Sequence, residues 1–454
     1  MPAIIRERLL SRLTAFPDAR RCWIAYSGGM DSEVLLHAVA SLGARLPAQV
    51  RAVHVDHGLH PDSGRWTEYC RRGCARLGVP LSVRRMAVAP SRGESLEAVA
   101  REARYRVMGD LLGHGDLLLT GQHRDDQAET LLLALMRGSG LKGLAAMPTV
   151  APLGEGRLVR PLLDVGRAEL RDYAIDNRLS WVEDPTNLDA AFDRNFIRHR
   201  VLPLLAVRWP AYAVTLARTA GHCAEAQGLI HRLAERELPK VAGLHPGTLS
   251  VSGLRTMDRR LGRAVLRHWI AEGGFGLPDA RHLSRILDEV LTAREDAQPL
   301  VAWRGCEVRR YRDDLFALAP LPPVPRALSI PWRKNPLVLP EGLGTLRILG
   351  RSERPVDPEG LVIGGLTVRF GVTGLSCRPA GSRHHRPLKK LFQETGVPPW
   401  LRPYVPLVFV GSCLAAVGHL WICDSLGVGD PTRIALGDSY SAWGYYEYII
   451  FTIR

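Results

Sequence analysis

The sequence predicts an α/β protein whose doubly wound parallel sheet is followed by a mostly helical middle region and a small α+β C-terminal region. Three observations carry that expectation. Between residues 22 and 120 strand-like and helix-like segments alternate strictly, which marks βαβ units and hence a parallel sheet covered on both faces. A Gly-rich turn joins the first strand of the series to its first helix. A Pro-rich stretch at 320–325 follows a second, helical region and reads as a stiff linker to a Gly- and Val-rich remainder.

Taken in order, the predicted strands are 22–26, 50–55, 81–88 and 116–120, and the helices between them are 32–42, 63–77 and 95–112. Ligands of such sheets bind beyond the carboxyl ends of the strands, and three polar clusters fall there: 27–32, 54–57 and 121–126. In the first, Gly28 and Gly29 tolerate positive φ, and Asp31 or Ser32 suits a helix start, so backbone N–H groups and the helix dipole converge on an anion site. In the third, Asp126 and Glu129 stand three apart on the first turn of a new helix. Both carboxylates project from one face and suit Mg²⁺ or an ammonium group. Helix N-termini favour acidic residues anyway, which accounts for one or two of them but not for the whole cluster beside a phosphate cradle.

Residues 138–143 match G-x-G-x-x-G formally, yet they follow a helix rather than a strand and so read as a helix cap and loop. No G-x-x-x-x-G-K-S/T motif occurs, which excludes the P-loop NTPases. A last αβ-like portion spans 159–195, with a helix at 167–177, and the cation-dense run 193–200 follows it. Residues 201–238 read as a connecting helix interrupted by Pro203 and Pro210. In the middle region, helices are predicted at 258–271 and 279–292 and a strand pair at 300–310 and 315–319. The domain expectation is 1–210, 211–325 and 326–436, with an aromatic tail, 437–454, of open role.

Sixty Lys and Arg against 46 Asp and Glu leave a formal charge of +14, which points to a polyanionic partner such as nucleic acid. No apolar run spans a bilayer and no signal-peptide pattern opens the chain, so the expected compartment is the cytoplasm, with no membrane partner. Eight scattered cysteines suggest reduced thiols. Cys70 and Cys74 lie near His54, His57 and His60, but the C-x-x-C spacing of common zinc sites is missing and packing thiols are expected. Arg378, Arg383, His384, His385, Arg386, Lys389 and Lys390 sit beside Phe392, Trp400, Arg402 and Tyr404. Cations interleaved with aromatics suit an RNA backbone and exposed bases.

The motif at 27–32, Ser-Gly-Gly-Met-Asp-Ser, resembles the SGGxDS loop of N-type ATP pyrophosphatases, whose fold is adenine nucleotide alpha-hydrolase-like. The further motifs at 54–59, 125–130, 137–140, 160–163, 181–187, 194–199, 388–392 and 397–400 are together similar to the bacterial tRNA(Ile)-lysidine synthetase family, over about residues 20–425. The resemblance implies that the 2-carbonyl oxygen of the wobble cytidine in a CAU anticodon of tRNA(Ile) is adenylated from ATP with Mg²⁺, and that free L-lysine then displaces AMP. It implies nucleotide contacts from Ser27, Gly28, Gly29, Met30, Asp31, Ser32 and His54, and catalytic work from Asp31, Asp126, Glu129, Arg101 and Arg198, with Asp31 and Asp126 on the metal. RNA contacts fall to Arg194, Arg383, Arg386, Lys389, Lys390, Trp400 and Arg402. The choice between Arg101 and Arg104, and between Arg194 and Arg198, stays open, as does a homodimer. Gln122 stands where His is frequent in the family, so no general-base work is assigned there, and none to His123. A tRNA thiolase and a non-catalytic nucleotide-binding RNA-binding module are the alternatives; the first commonly needs a Cys pair that is missing here, and the second has no use for Asp126 and Glu129.

Overall fold

The computed structural model describes residues 2–423, apart from 47, 57, 59, 60, 87–95, 296, 327, 340–342, 344, 347, 350–364, 380 and 419, together with 434–436 and 451–453. Most of the aromatic tail and two of the histidines near Cys70, His57 and His60, lie outside the described residues. The chain divides into two compact units, Met1–Ile230 and His231–Arg454. No helix among the described residues is long and apolar enough to cross a membrane.

In the first unit the strands are β1 (Arg21–Ala25), β2 (Gln49–Asp56), β3 (Leu81–Arg85), β4 (Leu117–Leu119), β5 (Val150–Leu153) and β6 (Gly156–Val159). They form one sheet in the order β3-β2-β1-β4-β6-β5, parallel throughout except for β5, which turns back onto β6. The helices are α1 (Pro2–Leu13), α2 (Met30–Ala40), α3 (Ser63–Arg76), α4 (Leu96–Gly109), α5 (Arg124–Met136), α6 (Leu141–Leu144) and α7 (Arg167–Asp176). All four predicted strands and three predicted helices are present. β3 ends earlier than expected, and residues 87 and 88 of that prediction lie outside the described residues. Three features were not predicted: α1, which buries Ile5, Leu9 and Leu13 at four-residue spacing, the single-turn α6 where a cap and loop was expected, and the β5–β6 hairpin, whose Pro152 suits an edge strand.

Strand order reverses direction between β1 and β4, so the connections that leave these neighbours cross opposite faces and open a crevice at their carboxyl ends. Ile24 on β1, Leu35 and Leu36 on α2 and Leu119 on β4 are fully buried beneath that crevice. Each contributes about 1.5–3 kcal/mol over an exposed side chain, which makes the platform rigid. Cys70 and Cys74 belong to the same core, as packing thiols do. Burial pushes both up to about 12, so they stay protonated, and no group of three or more His, Cys, Asp or Glu among the described residues fits a metal ion.

Beyond α7 come a tight turn, Pro185–Leu188, the short α8 (Asp193–Phe196), a wide turn at Ile197–Val201, α9 (Leu202–Arg208) and α10 (Tyr212–Glu237). The single connecting helix expected at 201–238 is thus broken, with Pro203 in the first turn of α9 and Pro210 in the gap before α10.

The second unit carries helices at Val251–Thr256, Arg259–Glu272 and Ala280–Arg285 against a four-stranded sheet of Leu249–Ser250, Leu300–Trp303, Cys306–Tyr311 and Asp314–Leu318. The expected strand over 300–310 is two, because Gly305 at φ +81° turns the chain back on itself. A five-stranded antiparallel sheet follows, built from Ser329–Trp332, Leu366–Arg369, Leu407–Val410, Cys413–Val417 and Trp421–Ile422. The expectation of reduced thiols throughout is corrected here, since Cys377 and Cys423 are joined in a disulfide with Cα atoms 5.5 Å apart. Sequence spacing gave no hint of it, because 46 residues separate the pair.

Candidate active site

The loop leaving β1 is closed by its own serines. Ser27 N donates to Ser32 Oγ at 3.2 Å, Ser32 Oγ donates to Gly29 O at 2.9 Å, and the two serine hydroxyls lie 3.1 Å apart. Gly28 sits at φ +85°, where a Cβ would also press on Tyr69 and on Cys70 Sγ at 3.3 Å, so only glycine lets α3 approach. Val182 N donates to Gly28 O, which ties the 181–187 motif onto the loop. The outcome is a set of backbone N–H groups ahead of α2, oriented for an anion.

His54, expected to contact nucleotide, turns Nδ1 inward instead. It donates to Tyr26 O at 2.9 Å, which favours the charged ring, but burial, helped by the cations Arg104 and Arg71, holds its pKa below the usual value. A neutral imidazole therefore props the loop from β2. Behind the loop, Tyr26 OH bonds the fully buried Glu33, which also accepts from Arg76 Nη2 at 3.1 Å. Burial raises the Glu33 carboxyl above its ordinary range despite these two partners. Neither Tyr26 nor Glu33 was singled out from sequence, although Glu33 directly follows the SGGxDS motif.

The chain leaving β4 meets this loop edge to edge. A Cβ at Gly121 would lie 2.9 Å from Asp31 O, so the contact requires glycine. Two residues on, His123 is buried between Asp31 Oδ2 at 3.6 Å and Asp126 Oδ2 at 3.5 Å from its Nε2, with Asp125 at 3.7 Å from Nδ1. Burial disfavours its charge, but the three carboxylates prevail and raise its pKa. Its backbone N–H donates to Asp126 Oδ2 at 3.1 Å. Although it was set aside at the sequence level, His123 is the group that couples the two halves of the rim.

Asp126 and Glu129 are buried and are held by two of the three arginines of the 193–200 run. Arg194 donates to Glu129 Oε2 at 2.8 Å and Asp126 Oδ1 at 3.0 Å; Arg198 donates to Glu129 Oε1 at 2.6 Å, Oε2 at 2.8 Å and Asp126 Oδ1 at 3.1 Å. Burial alone would raise the Asp126 carboxyl, but His123, Arg194 and Arg198 carry it below its usual value. The expectation of Arg194 as an RNA contact is corrected: residues four apart share a helix face, so Arg194 and Arg198 turn inward together. On the adjoining face Asn195 Nδ2 donates to Thr186 O and Asp189 O, and His199 Nε2 donates to Asn187 O, which fixes the segment against the 181–187 motif.

Of the two carboxylates expected on a metal, Asp126 is the more engaged: its Oδ1 accepts from two guanidiniums and its Oδ2 from the His123 amide. Asp31 fits better, because its Oδ1 is buried with no hydrogen-bond partner among the described residues. Arg101 is exposed and lies over the Tyr105 ring at 5.2 Å, and the Tyr105 hydroxyl accepts from Gln122 Nε2 at 3.4 Å, so Arg101 stands at the rim without touching the carboxylates.

Comparison with known proteins fits this arrangement. A PP-loop domain matches residues 3–205, a TilS substrate binding domain 249–316 and a TilS substrate C-terminal domain 366–434. The tRNA(Ile)-lysidine synthase of Methylococcus capsulatus is 44% identical over 90% of this chain and 94% of its own, and that of Coxiella burnetii is 41% identical over 92% and 93%. This chain belongs to the tRNA(Ile)-lysidine synthase family. Among solved structures, the U34-tRNA thiolase from Methanococcus maripaludis is 14% identical, covers 49% of this chain and 79% of its own, and superposes at a TM-score of 0.42. Family members are ligases, and the PP-loop domain of this one places its phosphate cradle and its charged cluster on one rim.

In the C-terminal part of this family member, the sequence expectation divides. Lys389, Lys390 and Arg383 are exposed, and Arg386 pairs with Glu394. Trp400 is corrected: it is buried edge-on against Phe316 at 5.6 Å and Tyr311 at 6.2 Å, with the Arg309 guanidinium over its ring. It packs the hairpin of the middle part onto the C-terminal part and offers no free face to a base. Arg402 donates Nε to Val397 O at 2.9 Å and braces its own loop.

Proposed function

We propose that this ligase joins free L-lysine to the 2-position of the wobble cytidine in tRNA(Ile) with a CAU anticodon, through an adenylated tRNA, and releases AMP and pyrophosphate. One observation carries the reading: an anion cradle and a four-charge cluster of Asp126, Glu129, Arg194 and Arg198 share the crevice between β1 and β4, coupled by His123. Adenylation needs the first. The second matches a zwitterion, because two carboxylates and two guanidiniums complement the ammonium and carboxylate of a free amino acid.

The backbone N–H groups of the first turn of α2 hold the triphosphate and orient its α-phosphorus toward the carbonyl oxygen of the base. Asp31 would hold Mg²⁺, which when bound offsets the charge that grows on the departing pyrophosphate. Arg194 and Arg198 hand their carboxylates to the incoming lysine, take its α-carboxylate, and leave Asp126 and Glu129 for its ammonium groups. One of these two carboxylates accepts a proton from the ε-ammonium as the amine attacks; only the neutral amine is a nucleophile. Cys70 adjoins the loop, but its thiol is pushed up to about 12 by burial and supplies no thiolate, which disfavours the sulfur-transfer alternative. Lys389, Lys390 and Arg383 supply tRNA affinity, and the reaction takes place in the cytoplasm.

The test mixes protein, ATP, lysine and a tRNA(Ile) transcript with a CAU anticodon, then follows AMP release and the mass of the wobble nucleoside. Expected is a gain of one lysine less one water. An unmodified nucleoside with AMP released would indicate adenylation without ligation, and no AMP at all would overturn the proposal.

A further inference from the structure

A second charged site lies on one face of the sheet of the first unit. Residues 21, 23, 51, 80, 82 and 84 alternate onto one face of β1, β2 and β3, because Trp23 pairs with Arg51 and Ala52 with Leu81 in parallel register. There they line a cavity of ≈ 370 Å³ with Arg21, Arg51 and Arg84 as its cations and Trp23, Pro80 and Leu111 as its apolar wall. Arg21 and Trp23 begin β1 and Arg51 stands level with Trp23, whereas Arg84, opposite Val55, reaches the cavity from the carboxyl half of β3.

Sheet faces in doubly wound folds are ordinarily lined by aliphatic residues, and Leu118 and Leu158 do this next to Trp23. Three guanidiniums in one cavity on such a face call for an anion. Asp116 answers only one of them: it accepts from Trp23 Nε1 at 3.4 Å and lies 3.3 Å from Arg21 Nε. Arg51 stacks 5.7 Å from the Trp23 ring, and its Nε is buried with no hydrogen-bond partner among the described residues. Arg84 is exposed at the mouth. Among the described residues, two positive charges are therefore left over from three guanidiniums and one carboxylate. A buried N–H without an acceptor is costly, and an oxyanion would satisfy it.

We propose that this cavity is a second nucleotide site, which holds a nucleoside monophosphate group with its phosphate on Arg51 and Arg84 and its apolar body against Pro80 and Leu111. The volume falls within the range of small-molecule pockets, roughly 300–1,000 Å³, and far exceeds what a lone phosphate fills. A free nucleotide and a nucleotide of bound tRNA present the same chemistry. Neither the anion cradle nor the ligase reaction assigns this site a role.

Equilibrium dialysis of the full chain against labelled AMP, with the catalytic site saturated by α,β-methylene-ATP, tests it alongside filter binding of tRNA. Arg84→Gln alters an exposed side chain and leaves the fold intact; Arg51→Gln removes the buried donor; Arg85→Gln, on the other face of β3, is the control. If the source is free nucleotide, wild type binds one AMP and the first two variants bind it at least about 10-fold more weakly, with tRNA affinity unchanged. If the source is tRNA, Arg84→Gln lowers tRNA affinity and its salt slope by about one, while Arg85→Gln does not. AMP binding equal in all four proteins, no AMP binding together with unchanged tRNA affinity, or equal losses in Arg84→Gln and Arg85→Gln would each overturn the proposal. None of these outcomes depends on whether lysidine is formed.

Discussion

Two clusters of cations in this chain, alike in charge, do opposite work. Arg194 and Arg198 are bound at 2.6–3.1 Å to carboxylates with almost no exposure, whereas Lys389 and Lys390 stand in solvent. The first pair acts at short range in a low dielectric, where geometry decides and salt has little effect. The second acts at long range, is screened within about 10 Å at 0.1 M salt, and suits attraction to a phosphate backbone without reading it. Burial, rather than charge, separates a group fit for chemistry from one fit for capture.

The largest effect that tests this contrast is expected at the buried end. Asp126→Asn keeps the shape but removes the charge between two guanidiniums, and should lower single-turnover ligation by about 10³-fold or more, with tRNA affinity within about 2-fold. AMP release in a quench-flow experiment and filter binding give the two numbers, and normal turnover would remove Asp126 from the machinery. Trp400→Ala comes next: loss of a buried indole should cost about 3–5 kcal/mol in chemical denaturation of the second unit. Stability unchanged but tRNA binding lost would restore Trp400 to the RNA surface and break the comparison.

Smaller is the effect at the exposed end. Lys389→Glu with Lys390→Glu should weaken tRNA binding by about 10-fold near physiological salt and reduce the salt slope by about two, while leaving kcat unchanged at saturating tRNA. A changed kcat would move these lysines from capture to catalysis. The smallest effect concerns the support behind the loop. Because the folded protein holds Glu33 above its usual pKa, the native state binds more protons than the unfolded chain as pH rises past about 4.3. Its contribution to stability is therefore present below that pH and is lost as pH rises through the folded value. Glu33→Gln should flatten this decline in Tm between pH 4 and 8, and a decline that persists unchanged would place its origin elsewhere.

Much of the rim was legible because the signals are local. Gly28 in a turn after an apolar run, and Asp126 with Glu129 on one helical turn, are patterns that three to five residues complete. The partners of these groups were not legible. Arg194 meets Asp126 across 68 residues, and Trp400 meets Phe316 across the boundary of two sheets. Cations interleaved with aromatics look the same whether the aromatic faces water or a neighbour, so Trp400 and Arg402 were read as RNA contacts and turned out to hold the fold. His54 was placed correctly at a strand end, but which ring nitrogen it turns inward depends on Tyr26 O, which the strand pairing brings near.

By itself, then, the amino-acid order determined the alternation of strands and helices, the cradle at 27–32, the acidic turn that faces it and the family to which they belong. The first three follow from backbone periodicity and side-chain spacing, which act over a few residues, and the family from the resemblance of motifs along the chain. Only the tertiary structure decided that both Arg194 and Arg198 close on the carboxylates, that His123 joins the halves of the rim, and that three arginines from separate strands share one cavity. Such contacts are set by strand order and parallel register, because charges far apart in sequence meet only once the sheet has brought their strands together.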